Sequence, residues 1–191
     1  IDKPNIRQIF SYEIPGSIES YFQEIGRAGR DGIAAAAILF LRADDLSICM
    51  EFIKWAYPEK EFILKFYQLL EENPMPLKQD GFSFYRELMS FKNKRDYRVE
   101  AAYNILERWN CVSPLTDVLA DEVKVTIRKP TDDDFKRENQ KVLFQYQNKK
   151  LLEIYNWAKN DTKCRMGSIY EYFGADYVEC GKCDWCHEKH G

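Results

Sequence analysis

Residues 6–41 read IRQIFSYEIPGSIESYFQEIGRAGRDGIAAAAILFL. Ile6–Tyr12 is a short apolar run of strand character, and Pro15-Gly16 after it supplies a turn. Ser17 stands where an N-cap belongs, and Glu19 would meet the positive end of the helix dipole one turn in. A helix through Ile25 is therefore predicted. The glycines at 26, 29 and 32 interrupt that helix, and Ala34–Leu41 (AAAAILFL) then reads as a buried strand. Strand, helix, glycine-rich loop and strand, in that order, predict the edge of a parallel α/β layer.

The loop carries its own chemistry. In Gln23–Gly32 (QEIGRAGRDG), Arg27 and Arg30 are set three residues apart among the glycines. Phosphoryl transfer spreads negative charge over the γ-phosphate oxygens, and guanidinium forks neutralise such charge bidentately. Glycines let the backbone turn tightly enough for two such forks to converge. The spacing alone also suits an ordinary surface turn, so the flanking residues have to decide.

Those flanks carry a resemblance. Asp2-Lys3-Pro4, Pro15-x-Ser17-Ile18-Glu19-x-Tyr21 and Gln23-Glu24-x-Gly26-Arg27-Ala28-Gly29-Arg30-Asp31-Gly32 closely resemble the RecQ family of ATP-dependent DNA helicases. They look like the tail of helicase motif V and the whole of motif VI, at the end of the second RecA-like lobe. The resemblance implies that Arg30 is an arginine finger across the ATP cleft. It further implies Arg27 as a second γ-phosphate contact, Gln23 as a positioning residue, and Asp2 as the motif V acid coupling nucleotide to DNA. DEAD-box RNA helicases share the closing G-R-x-G-R but usually open the motif with His-Arg, so Gln23-Glu24 favours RecQ. Ser11 departs from the family, which usually has His there.

Near the other end, Cys164 is followed after fifteen residues by Cys180-x-x-Cys183-x-x-Cys186. Zinc takes four soft ligands in a tetrahedron, and two overlapping C-x-x-C turns plus one distant cysteine supply them. Four protein ligands leave no open position, so the expected metal is structural. A redox C-x-x-C would need two cysteines and leave two unexplained. Cys164-Arg165, Tyr172-Phe173-Gly174 and Cys180-Gly181-x-Cys183-Asp184-x-Cys186 resemble the RecQ zinc-binding subdomain in order and nearly in spacing. His187 and His190 are expected bystanders. Cys49 and Cys111 are expected to be small buried hydrophobes.

Between these ends the sequence reads as mainly helical. Asp44-Asp45 opens a helix through Ala56. Phe62, Ile63, Phe66, Leu69 and Leu70 fall at helical spacing until Asn73-Pro-Met-Pro76, Phe82–Phe91 makes a second short helix, and Asp96–Asn110 a third. Val123, Val125 and Ile127 alternate with polar residues, as in a half-buried strand. Three helices followed by β-structure outline a winged helix-turn-helix. Lys92, Lys94, Arg95 and Arg98 cluster at its second helix junction, with Tyr85 and Tyr97 nearby. This is the expected DNA contact, and its phosphate neutralisation would make binding salt-dependent. Thr131 followed by Asp132-Asp-Asp134 marks another helix start, running to about Lys159 with a break expected near Gln147–Lys149.

Composition sets the outer bounds. The 191 residues are 45% hydrophobic and 15% aromatic, which excludes a mostly disordered chain. No apolar run is long enough for a bilayer, and the opening IDKPNIR is no signal peptide, so a membrane partner is not expected. A net charge of −3 leaves any nucleic-acid binding to local patches. Without a secretory signal, the six cysteines favour metal over disulfides.

The expected fold is mixed and mainly α. Residues 1–45 are the edge of a RecA-like lobe, 46–130 a helical link with a winged-helix-like domain, and 131–191 a helical zinc module. The missing initiator Met suggests a fragment. Neither G-x-x-x-x-G-K-[ST] nor an acidic Walker B box is present, so the chain alone should not hydrolyse ATP. The resemblance implies a parent enzyme that uses ATP and Mg²⁺ and unwinds DNA 3′ to 5′ in repair and recombination. Its partners would be DNA, ATP through the missing lobe and proteins at the winged-helix-like region, in a bacterial cytoplasm at the nucleoid. The rival is a zinc-stabilised DNA-binding or protein-interaction module without motor activity. In the RecQ order the winged helix follows the zinc; here 133 residues separate Arg30 from Cys164, and the helical region precedes the cysteines.

Overall fold

Ser17 caps a helix where its position predicts: its backbone is extended, and its Oγ accepts from the Ser20 amide at 3.1 Å. Such a cap contributes about 1 kcal/mol. The computed structural model describes residues 3–89, 97–120 and 123–190. In chain order its elements are β1 (Gln8–Ser11), α1 (Ile18–Ile25), β2 (Ala36–Leu39), α2 (Asp45–Ala56), α3 (Lys60–Glu72), α4 (Met75–Asp80) and α5 (Ser83–Met89). They continue with α6 (Arg98–Arg108), α7 (Leu115–Leu119), α8 (Asp132–Arg137), α9 (Gln140–Lys159), α10 (Arg165–Tyr172) and α11 (Asp184–His190). The chain is mainly helical and divides into two compact units. One is made of Ile1–Met50 and Gln147–Gly191, the other of Glu51–Tyr146.

In the first unit β1 and β2 pair in parallel, Gln8 opposite Ala36 and Ser11 opposite Leu39. The expected strand–helix–loop–strand order is therefore present. The burial expected of AAAAILFL is not: Ala36, Ala37 and Ile38 are exposed. Parallel sheets normally have both faces covered. This two-stranded one leaves Phe10, Tyr12, Ile38 and Phe40 exposed, Phe10 stacking on Phe40 with ring centroids 6.3 Å apart. No helix among the described residues is long and apolar enough to cross a membrane.

The second unit has a core of its own. α6 buries Val99, Ala102, Tyr103, Ile105 and Leu106 against Ile63, Phe66 and Leu70 of α3, with Leu77, Tyr85 and Trp109 around them. Each fully buried large side chain contributes about 1.5–3 kcal/mol before entropic costs. The aromatic polar ends are satisfied: Tyr103 Oη donates to the Ser113 carbonyl at 2.9 Å, and Trp109 Nε1 to Glu138 at 2.8 Å. Cys111 is fully buried, as expected of a small hydrophobe, whereas Cys49 is only partly so.

Three expectations are corrected here. Asn73-Pro-Met-Pro76 ends α3, but a short helix, α4, starts at once because Pro is tolerated in a first turn. The 123–127 alternation yields one isolated antiparallel bridge, Val112 to Thr126, instead of a strand. Only Val125 of the three apolar residues is buried. Just beyond the bridge, Arg128 donates to the Trp109 carbonyl at 2.5 Å and forks onto Asp134. Finally, the helix after Thr131 breaks at Glu138–Asn139 and runs unbroken through 147–149. The Oδ1 of Asn139 accepts the Val142 amide at 3.2 Å and starts α9 anew.

Candidate metal centre and arginine loop

Cys164 is the N-cap of α10, where a side chain faces unpaired amides. Its sulfur accepts from the Gly167 amide at 3.4 Å and from the Cys180 amide at 3.2 Å. The Arg165 amide donates to Cys183 Sγ at 3.4 Å and the Lys182 amide to Cys180 Sγ at 3.5 Å. Cys186, at the start of α11, completes the group, and all four sulfurs lie within 4.8 Å of one another. A zinc–sulfur bond of about 2.3 Å in a regular tetrahedron sets sulfurs about 3.8 Å apart. Cys164 and Cys183 stand 3.8 Å apart.

The donor set also asks for a cation. Burial raises the Cys164 thiol, but the Cys180 and Gly167 amides outweigh it and bring the group down to about 7. Burial pushes Cys186 up to about 12. Four sulfurs this close do not all ionise on their own, because like charges repel, whereas a bound dication deprotonates all of them. Cys164, Cys180, Cys183 and Cys186 would hold Zn²⁺ as a closed, structural site. His187 lies outside the cluster, as expected of a bystander.

Around the cluster the packing is tight. The Tyr177 ring fills the space over Gly167, where an added Cβ would lie 2.8 Å from that ring and from the Val178 carbonyl. The Tyr177 hydroxyl accepts the Cys164 amide at 2.9 Å. Arg165 Nη2 meets Asp184 at 2.8 Å, and Nη1 reaches the carbonyls of Trp157, Ala158 and Asn160 at the end of α9. Trp157 returns the contact, its Nε1 donating to the Arg165 carbonyl at 3.1 Å. The support given by Arg165, Asp184 and Trp157 goes beyond what their sequence positions disclosed. The only signal was that the first two directly follow cysteines.

The arginine loop leaves the end of α1. The Gly26, Arg27 and Ala28 amides continue the helical bonding to Phe22, Glu24 and Ile25. Gly29 then takes φ +64°, donating its amide to Ile6 at 3.0 Å; an added Cβ would sit 3.0 Å from the Ile33 carbonyl. Arg7 grips Asp31 with both terminal nitrogens, at 2.5 and 3.1 Å, and so pins the loop's far end beside β1. That fork holds the Asp31 carboxyl below its usual range.

Gln23, Arg27 and Arg30 are all exposed, and Arg30 Nε donates to the Gly26 carbonyl at 3.3 Å. Two guanidinium groups are thus presented to solvent from one short loop. Asp2, Lys92, Lys94 and Arg95 lie outside the described residues. Arg98 is half-buried, its guanidinium 4.6 Å from the centre of the Phe62 ring.

Comparison with known proteins agrees with this geometry. Residues 122–187 match the RecQ zinc-binding family. The chain is similar to ATP-dependent helicase wrn-1 of Caenorhabditis elegans, 34% identical over 91 residues, or 48% of this chain and 9% of that protein. It is 48% identical over 48 residues to ATP-dependent DNA helicase RecQ of Bacillus subtilis, 25% of this chain and 8% of the relative. With ATP-dependent DNA helicase RecQ of Pasteurella multocida the identity is 51% over 45 residues, covering 24% and 7%. The matched stretches thus span less than a tenth of these relatives' lengths. No solved structure matches the chain. With four cysteines gathered inside the matched segment, the chain carries a RecQ zinc-binding domain and has its relatives among the RecQ-type helicases.

Proposed function

We propose that the chain is the C-terminal part of a RecQ-like, ATP-dependent 3′-to-5′ DNA helicase. Residues 1–45 would close the second RecA-like lobe, 46–130 would form a helical and winged-helix-like insertion, and 131–191 the zinc module. The observation that carries this reading is the composition of the first unit. It joins the Gln23–Gly32 loop and the four-cysteine cluster, distant in sequence, into one compact body.

In this reading Arg30 leaves the Gly26 carbonyl to reach the γ-phosphate of an ATP held by a lobe outside this chain, with Arg27 beside it. Gln23 and Asp2 would help position nucleotide and couple it to DNA, and Mg²⁺ would accompany the ATP. Guanidinium groups there would stabilise the charge that develops during phosphoryl transfer. The test is Arg30→Ala in the full-length protein. DNA binding should persist while DNA-stimulated ATP hydrolysis falls at least a hundredfold, in line with the worth of an arginine finger, ~10³–10⁵. Near-normal turnover would refute the finger.

Lys92, Lys94, Arg95 and Arg98 support a second part of the reading, contact with DNA phosphates. Replacing all four with Gln should weaken duplex binding and flatten its salt dependence. An unchanged salt slope would move the middle region to the rival reading, a surface for protein partners.

A further inference from the structure

α1 carries Gln23 and ends directly in Arg27 and Arg30, so whatever fixes α1 fixes the arginines. Its inner end is held by β1, where Ser11 Oγ donates to Glu24 at 3.1 Å. Its opposite side meets α9 and the end of α10, through side chains. Tyr21 packs on Trp157 with ring centroids 5.0 Å apart, and Phe22 on Phe173 at 5.2 Å.

Beside these rings lies a polar knot. Lys150 of α9 donates to Glu19 Oε1 at 2.5 Å and to the Tyr172 hydroxyl at 2.5 Å. Tyr172, the last residue of α10, donates to the same Glu19 oxygen at 2.8 Å. Glu153 stands behind, 3.3 Å from the Tyr172 hydroxyl and 3.8 Å from Lys150. The lysine side chain is only 17% exposed, so water competes poorly for it.

We propose that Lys150 and Tyr172 are positioning residues for the arginine loop: they clamp Glu19 of α1 onto the metal module, so that the four-cysteine site sets where Arg27 and Arg30 stand. The connection is continuous. The cysteine knuckle holds Asp184, Asp184 holds Arg165, and Arg165 and Trp157 lock the end of α9 to the start of α10. From these two helices Lys150, Trp157, Tyr172 and Phe173 reach α1. Burial alone would raise Glu19, yet hydrogen bonds accepted from Lys150, its own backbone amide, Tyr172 and Ser17 bring it to about 2. The clamp is therefore charged at neutral pH. The meaning given to the held loop rests on the helicase reading; the clamp itself does not.

Amide hydrogen exchange on the zinc-loaded 191-residue chain tests this without nucleotide. Lys150→Met should speed exchange at Gly26, Arg27 and Ala28 about tenfold. Ile105 and Leu106 in the other unit should not change. Lys150→Arg, which keeps charge and donors, should restore most of the protection, and Tyr172→Phe should give a smaller rise. Chelating the zinc from wild-type protein should release the same amides, and should release them less in Lys150→Met, where the link is already cut. Unchanged exchange at 26–28 in both Lys150→Met and Tyr172→Phe overturns the clamp. So does an equal rise across both units, which would mean general destabilisation. An Arg30→Ala enzyme that still hydrolyses ATP would remove the finger and leave this result standing.

Discussion

The guanidinium of Arg165 closes on the carboxylate of Asp184, with Nη2 to Oδ2 at 2.8 Å and Nε to Oδ1 at 3.0 Å. Each partner directly follows a cysteine of the cluster, so this fork fixes the two cysteine segments against one another. It holds the Asp184 carboxyl below its usual range.

Groups that orient metal ligands typically change affinity ~10–100-fold when removed. Arg165→Ala should weaken zinc binding by about that factor, measured by competition with a chromophoric chelator. Arg165→Lys should recover little, because one ammonium cannot fork onto Asp184 and reach the α9 carbonyls together. Affinity equal to wild type in the alanine variant would show that the fork is ornamental to the site.

Zinc content is the direct check on the cluster. Elemental analysis should find about one zinc per chain, the stoichiometry of a single four-thiolate site. Cys180→Ser should lose most of it and open the first unit to proteolysis. A zinc-free protein with wild-type protease resistance would exclude a structural metal.

Gly167 offers a steric test. Its Cβ would meet the Tyr177 ring and the Val178 carbonyl at 2.8 Å, closer than such contacts allow. Gly167→Ala should cost about 1–3 kcal/mol, the usual range for overpacking, visible as a lower unfolding midpoint. Adding Tyr177→Leu should relieve part of it, because one of the two blocking groups is then smaller.

How much of this was legible beforehand depended on whether the signal was local. Ser17 and Thr131 announced their helices because a cap is decided within four residues; Thr131 even forms a capping box with Asp134. The cysteine spacing announced a metal site because three of the four sulfurs sit in two overlapping C-x-x-C turns. The exposure of Ala36–Ile38 was not legible, since burial depends on what lies across a sheet and four alanines say nothing of that. The failed strand at 123–127 was not legible either, since a strand needs a partner alongside and alternation does not say that pairing stops at the single Val112–Thr126 bridge. Nor could sequence show that Glu19 and Lys150 meet: the signals at Glu19 are local to the start of α1, Lys150 carries none, and the second unit lies between them in the chain.

The second unit should respond to acid in a defined window. Asp134 is held well below the usual carboxylate range, chiefly by the Arg128 fork, with the Thr131 amide and hydroxyl adding to it against the cost of burial. Burial would raise Glu138, but hydrogen bonds from Arg108, Trp109 and Gln140 lower it on balance. Both groups thus bind protons more weakly folded than unfolded. In that case the unfolded state takes up more protons as pH falls, and stability rises with pH across the window. The contribution is complete above the unfolded values, ~4, and is lost as pH drops below them toward the depressed folded values. Urea unfolding followed by tryptophan fluorescence in a Trp157→Phe/Trp185→Phe background, which leaves only the second unit's tryptophans, should therefore show a flat midpoint from pH 7 to 5 and a steep fall below pH ~4. Asp134→Asn removes the more strongly shifted carboxyl but leaves Arg128 without its counter-charge. It should lower the midpoint at pH 7 and make the acid fall shallower. A variant with the wild-type slope would place the acid sensitivity elsewhere in the unit.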